Sequence, residues 1–273
     1  MTTTAASRAT TADRVRQVVV VVGALLAVAG AAYGSGAFGG QPIEEAAGGA
    51  LSADATVMAP AGPAFSIWSV IYTGLLLFAL LQALPGRAAD PRMRAVSWWV
   101  LASMVLNAAW IGVVQLGLLW LSVLVIVALV AVLAAVVVRL LRVEPTRRLD
   151  ALVTEGTVGL YLGWVCVATI ADVAATLVDA EVGDLLLGAT AWGVVLCVVA
   201  ALLVVLIATR TASRPTVAVA VGLAAGWGLA WIAVARSQGP LLDSGVSYAA
   251  GVAAVVAVAG PVVISLLRRR SRP

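Results

Sequence analysis

The 273-residue chain has no histidine and no lysine. Without histidine it lacks the commonest metal ligand and the commonest general base. Charged residues make up only 11% and hydrophobic ones 63%, against about 25% and 45–50% in soluble domains. A water-soluble fold cannot hide that much apolar surface, so the solvent is lipid. The two cysteines, Cys166 and Cys197, lie inside apolar runs with no paired spacing. That excludes a disulfide framework or a zinc site as the organising feature. The net charge of +4 does not point to nucleic acid, because the arginines stand at the ends of apolar runs.

In lipid every backbone N–H and C=O needs a partner within the chain, which leaves helix bundles and closed barrels. The apolar runs are continuous and show no period-two alternation, so helices are predicted. A crossing takes about 20 residues. Spans are predicted near 18–38, 64–84, 96–116, 119–139, 156–178, 186–208, 216–235 and 246–267. The fold class is therefore an all-α integral membrane protein, a polytopic bundle of about eight helices. Ala95 to Val138 carries no charge and is about twice too long for one crossing. A tight hairpin near Gly117, flanked by Gln115, Trp120 and Ser122, divides it.

All 17 basic residues are arginine, which with abundant Ala, Val and Gly fits a GC-rich bacterial genome. Arg8, Arg14 and Arg16 precede the first span. Further arginines fill the second, fourth and sixth loops and the tail (Arg268, Arg269, Arg270 and Arg272). Only Arg236 falls on the other side. Glu44, Glu45 and Asp54 mark the first loop, and Asp179, Glu181 and Asp184 the fifth. The positive-inside rule puts both termini in the cytoplasm, which an even helix count requires. The expected location is the bacterial plasma membrane. A basic start, an apolar stretch and small residues at Ala31 and Ala32 also read as a cleavable signal peptide. The uncharged run from Gln17 to Ile43 is long for that.

Polar residues inside spans are the informative ones. Asp172 lies well inside the fifth span, or near headgroups if that helix starts earlier. Asn107 lies mid-span in the third, with Trp110 one turn on. Trp68 and Tyr72 sit four apart at the start of the second. Tyr161, Trp164, Ala168 and Asp172 form one stripe of the fifth helix. Trp68, Asn107, Trp110 and Asp172 fall at similar depth, within roughly 15 Å of the outer surface. Above them runs the long loop 39–63, and long loops are often lids. An aromatic-walled pocket with a few polar groups under a loop is the default ligand site. The plain alternatives are interfacial aromatics and interhelical glue. The Gly159/Gly163 and Gly222/Gly226 pairs allow close helix approach without naming a function.

The segment Pro60-Ala-Gly-Pro-Ala-Phe65-Ser-Ile-Trp68-Ser-Val-Ile-Tyr72 resembles the loop-to-second-helix motif of the tryptophan-rich sensory protein family (TspO, the translocator or peripheral benzodiazepine receptor family). Asn107-Ala-Ala-Trp110 is similar to its third-helix Asn-x-x-Trp. Tyr161-Leu-Gly-Trp164-Val-Cys-Val-Ala168-Thr169 is similar to its fifth-helix motif. The resemblance covers about residues 18–178. It implies a five-helix bundle with a cavity near the first loop that takes tetrapyrroles, sterols or synthetic isoquinoline-type ligands. Trp68 and Asn107 would then hydrogen-bond ligand, Trp164 and Ala168 would form the fifth-helix wall, and Tyr72 and Trp110 would line it.

The chain departs from the five-helix family pattern by three further spans over 186–267, which are similar to those of the extended bacterial members, and at three places within the shared part. Asp172 stands where many members have a small polar residue, Leu160 replaces a proline, and the first loop lacks a Trp-rich run. The implied organisation is a cytoplasmic segment 1–17, a five-helix domain 18–178, three further helices over 179–267 and a basic tail 268–273. The expected function is a membrane receptor or sensor for a small, apolar, planar molecule. No cofactor is required, and porphyrin or haem is a candidate ligand. A transporter using Asp172 is the alternative. No nucleophile–base pair argues for an enzyme. The expected partners are this ligand, lipid and, from the family resemblance, a second copy in a homodimer.

Overall fold

The structure is a computed structural model. It describes residues 8–36, 41–145, 147–183 and 186–270, the last two without their side chains. Asp184, Arg272, the start of the first loop at 39–40 and the side chains of Arg269 and Arg270 lie outside the described residues. Among the described residues eight long helices make up the bundle, each within a helical stretch long and apolar enough to cross a membrane. They are α1 (Thr11–Gly34), α2 (Ile67–Ala83), α3 (Pro91–Gln115), α4 (Leu119–Arg142), α5 (Thr157–Asp179), α6 (Ala189–Arg210), α7 (Pro215–Gln238) and α8 (Ser244–Arg270). No strand occurs among the described residues. The chain is an all-α, multi-pass membrane protein, as its composition predicts.

Helix ends follow local chemistry. Thr10 and Asp13 form a capping box at α1, so that helix starts at Thr11 rather than near 18, and it ends at Gly34 rather than near 38. Asp90 accepts from the backbone N–H groups of Arg92 and Met93, with Pro91 opening α3. The predicted start at 96 was therefore late. Proline at the first helical position and an acidic cap satisfy the orphan donors of a helix start. The α3–α4 hairpin turns at Gly117, whose φ of +71° is reached at no steric cost only by glycine. A π-helical turn (Ala151–Gly156) leads into α5.

The first five helices share one buried core, and Val217, Val221 and Ala224 of α7 belong to it as well. A second core joins α6, α7 and α8. α7 thus bridges both. It lies along α5, where Gly159 and Gly163 leave room for its backbone. A Cβ at Gly159 would stand 2.7 Å from Ala220 Cβ and 2.8 Å from the Val217 carbonyl oxygen, and one at Gly163 would overlap the Val221 carbonyl.

Eight crossings return the last helix to the face where the first begins. On that face Arg16, Arg87, Arg92 and Arg214 are buried, and each is paired. Arg16 and Arg94 meet Asp13. Arg87 meets Asp90 and Asp150, Arg92 meets Glu155 at 2.6 Å, and Arg214 meets Glu144. These pairs tie α1, α3, the start of α5 and the α6–α7 turn together.

Candidate functional site

On the opposite face the segment 41–61 folds down over the bundle. Gln115, at the end of α3, donates to the carbonyls of Gly34 and Gln41, which fixes the entry to this segment. Under it lies a narrow, mostly apolar cavity that is partly open at its mouth. Loop residues Ile43, Leu51, Thr56 and Pro60 roof it, and Phe65 closes one side. Trp110 of α3 and Trp164, Val167, Ala168, Ala171, Asp172 and Ala175 of α5 form its walls. The α5 residues recur at steps of three and four, so one helical stripe faces the cavity.

Four of the eight residues singled out in the sequence line this cavity: Trp110, Trp164, Ala168 and Asp172. The other four form a packed cluster beside it. Trp68 stacks on Tyr72 at 5.1 Å and meets Tyr161 and Trp164 edge-on at 5.7 and 6.3 Å. Asn107 donates to the Tyr72 hydroxyl at 3.0 Å. Tyr161 donates to the Ser103 carbonyl at 3.0 Å. Trp68, Tyr72, Asn107 and Tyr161 therefore support the wall from behind, with Trp164 as the shared member.

Two polar groups stand out in the wall. The Trp164 indole N–H is buried and has no hydrogen-bond partner, although buried indole N–H groups usually find one. Asp172 is fully buried, seven residues short of the end of α5, so it does not sit at a helix end. Its carboxylate lies 3.0 and 3.1 Å from the Ser122 hydroxyl and 3.4 Å from the Trp110 indole nitrogen. The one Ser122 hydrogen is also within reach of the Leu119 carbonyl at 2.7 Å. Among the described residues no arginine pairs with Asp172. A carboxylate at this depth costs several kcal/mol when unpaired, so the neutral donors around it only partly compensate. No group of His, Cys, Asp and Glu side chains among the described residues could hold a metal ion.

Sequence reasoning did not find Phe65, Val167, Ala171, Ala175 or Ser122 as site residues. Ala171 and Ala175 extend the α5 stripe and were legible by period. Ser122 stood out only as a hairpin neighbour. Its contact with Asp172 depends on how α4 packs against α5.

A helical bundle in lipid, with a loop-roofed, mostly apolar cavity walled by two tryptophans near one face, defines the class: a polytopic membrane protein. Within that class the chain belongs to the TSPO-like protein family, whose family model matches residues 17–263. The match continues through α6 and α7 and into α8, well beyond the motif-bearing stretch that ends near residue 178. Comparison with curated proteins and with solved structures gives no match.

Proposed function

We propose that this protein is a receptor or sensor that binds a small, apolar, planar molecule of the tetrapyrrole kind in the chamber under segment 41–61. The observation that carries this reading is the buried, unpartnered Trp164 N–H beside a largely apolar lining that also holds Asp172 and Thr56. A buried donor without a partner costs about 1–3 kcal/mol, and a ligand acceptor that reached it would recover that cost. The aromatic side chains of Trp110, Trp164 and Phe65 in the lining suit an apolar ring system. The described lining includes no His, Cys, Met or Tyr, the usual axial ligands of haem iron. The residues present therefore do not fit haem, and the reading is confined to a metal-free ring. Binding rather than catalysis is proposed, in a bacterial plasma membrane with both termini cytoplasmic and with a homodimer as the assembly.

A second reading rests on Asp172, fully buried on the chamber wall with no cationic partner among the described residues. Such a residue marks ion or substrate pathways in many membrane proteins, so transport of the bound molecule is the alternative.

The test is a titration of purified protein with protoporphyrin IX, read by tryptophan fluorescence with an inner-filter control. Saturable binding that Trp164→Phe weakens roughly two- to tenfold, the worth of one hydrogen bond, supports the receptor reading. Absence of saturation, or a Trp164→Phe variant as tight as wild type, refutes it. Trp68→Ala and Asn107→Ala act through the supporting cluster and should weaken binding with it. Flux into vesicles that Asp172→Asn abolishes while binding persists would favour the transporter.

A further inference from the structure

Five arginines are buried: Arg16, Arg87, Arg92, Arg214 and Arg236. The first four stand on the face of the chain ends and meet carboxylates. Arg236 stands near the other end of α7, is 1% exposed, and has no ion pair among the described residues. Its guanidinium donates instead to backbone carbonyls of the roof, to Thr56 at 3.0 Å and to Ala53. Burying a guanidinium is costly unless its donors are satisfied, and here loop backbone accepts from both terminal nitrogens while Nε is buried without a partner. Asp54, beside these carbonyls, is one of two carboxylates whose charge bears on Arg236; the other is Asp243.

Arg236 is one of several fastenings between the roof and the C-terminal helices. Met58 is buried in the core shared by α6, α7 and α8. Val57 packs toward Gly193 of α6. The Ala61 N–H donates to the Trp231 carbonyl, and the Trp227 indole N–H donates to the Ala64 carbonyl at 2.9 Å. The root of the segment, its middle and its deepest side chain are therefore all held by α6 and α7. The roof residues Thr56, Ala59 and Pro60 line the cavity, so whatever holds this stretch also sets the shape of the chamber.

We infer that the C-terminal helices α6, α7 and α8 complete the ligand chamber by fastening its roof, with Arg236 as the positioning residue that sets how often the roof opens. This inference rests on the ligand reading above for its purpose, but its geometry stands without a ligand. It gives the last three helices a role: they hold the loop that the first five helices leave poised over their cavity. Two charge-assisted hydrogen bonds to carbonyls are each stronger than a neutral pair. Their loss should raise the open fraction of the roof at least tenfold.

The experiment uses full-length protein in lipid nanodiscs and no ligand. Cys166 and Cys197 are replaced by alanine, and Ala171→Cys places a reporter thiol in the chamber. Its reaction rate with a small methanethiosulfonate reagent reports roof opening. Arg236→Met is expected to speed labelling at least tenfold. Arg236→Lys, which keeps the charge and can still reach a carbonyl, should fall between Arg236→Met and wild type. Trp227→Phe, which keeps the ring and loses the donor, should raise the rate by a smaller factor. Arg210→Met, at an exposed end of α6, should match wild type. Amide exchange should rise in peptides of 47–59 while peptides of α2, α3 and α4 stay protected.

Unchanged labelling in folded Arg236→Met would overturn the inference, as would an exchange increase spread evenly over all helices. If Arg236→Met does not fold, Arg236→Lys and Trp227→Phe decide by the same two readouts, and wild-type rates in both overturn it. Faster labelling without any porphyrin binding would leave the fastening standing and refute only the ligand reading. Porphyrin binding with unchanged labelling would do the reverse.

Discussion

Gly163→Ala should separate α5 from α7. A Cβ at Gly163 would overlap the Val221 carbonyl oxygen and stand 2.9 and 3.0 Å from the Val221 carbonyl carbon and Cα. Ordinary contact begins at 3.4 Å, so clearing the two carbon contacts alone asks for 0.4–0.5 Å of movement (3.4 − 3.0 and 3.4 − 2.9). The obstacle is backbone, so no rotamer change relieves it. Overpacking of this kind costs about 1–3 kcal/mol, and the overlap with the carbonyl oxygen puts this site at the upper end. The better helix propensity of alanine returns about 0.8–1 kcal/mol. The net expectation is a loss of about 2 kcal/mol. Gly112→Ala is the matched control, because it lies inside α3 with nothing within 4 Å of its added Cβ. There only the propensity gain acts, so a stabilisation of up to about 1 kcal/mol is expected. Unfolding in mixed micelles, followed by tryptophan fluorescence, measures both. Equal shifts for the two variants, or a stabilised Gly163→Ala, would refute the proposed α5–α7 contact.

The buried pair Arg92–Glu155 yields a second expectation. Both side chains are at most 2% exposed, so Glu155→Leu strands a buried guanidinium and should cost about 3–5 kcal/mol. Arg92→Met with Glu155→Leu should cost less than Glu155→Leu alone, and a double-mutant cycle in the same unfolding assay checks this. A third concerns pH. Asp54 holds its carboxyl below the ordinary aspartate value, first through the Ser52 hydroxyl, which donates at 2.6 Å, then through its own backbone N–H and the charge of Arg236. Its contribution to roof order is fully present above the ordinary value and is lost as pH falls through the lowered one. Amide exchange in 47–59, corrected for intrinsic rates, should therefore rise only under strong acidification. Ser52→Ala should move that rise to higher pH, and an unmoved profile would count against the Ser52–Asp54 contact.

The helix number was legible because lipid imposes a length and a continuous apolar composition on every crossing. Gly117 was legible as a break because an uncharged run of that length must turn somewhere. The start of α3 was misread although its signals were present: Asp90 and Pro91 are a cap and a first-turn residue, but Arg92 and Arg94 drew the boundary inward. The cap and Pro91 start the helix before those arginines, and Glu155 and Asp13 pair with their charges, a pairing visible only after folding. The candidate site was half legible. Steps of three and four located the α5 stripe, whereas the division between cavity wall and supporting cluster depends on which way Trp68 and Tyr72 stack. Arg236 read as a lone charge on the wrong side. Its partners are backbone carbonyls, which look the same in any loop and leave no trace in residue type.

The distance along the chain between roof and fastening has a consequence for biogenesis. Thr56 and Arg236 are 180 residues apart, and a chain emerges from the ribosome at about 5–20 residues per second. The segment at 41–61 is thus made early but meets its anchor only after seven helices have been synthesised. A nascent chain stopped after α5 would expose an unroofed chamber and a bare glycine groove to lipid.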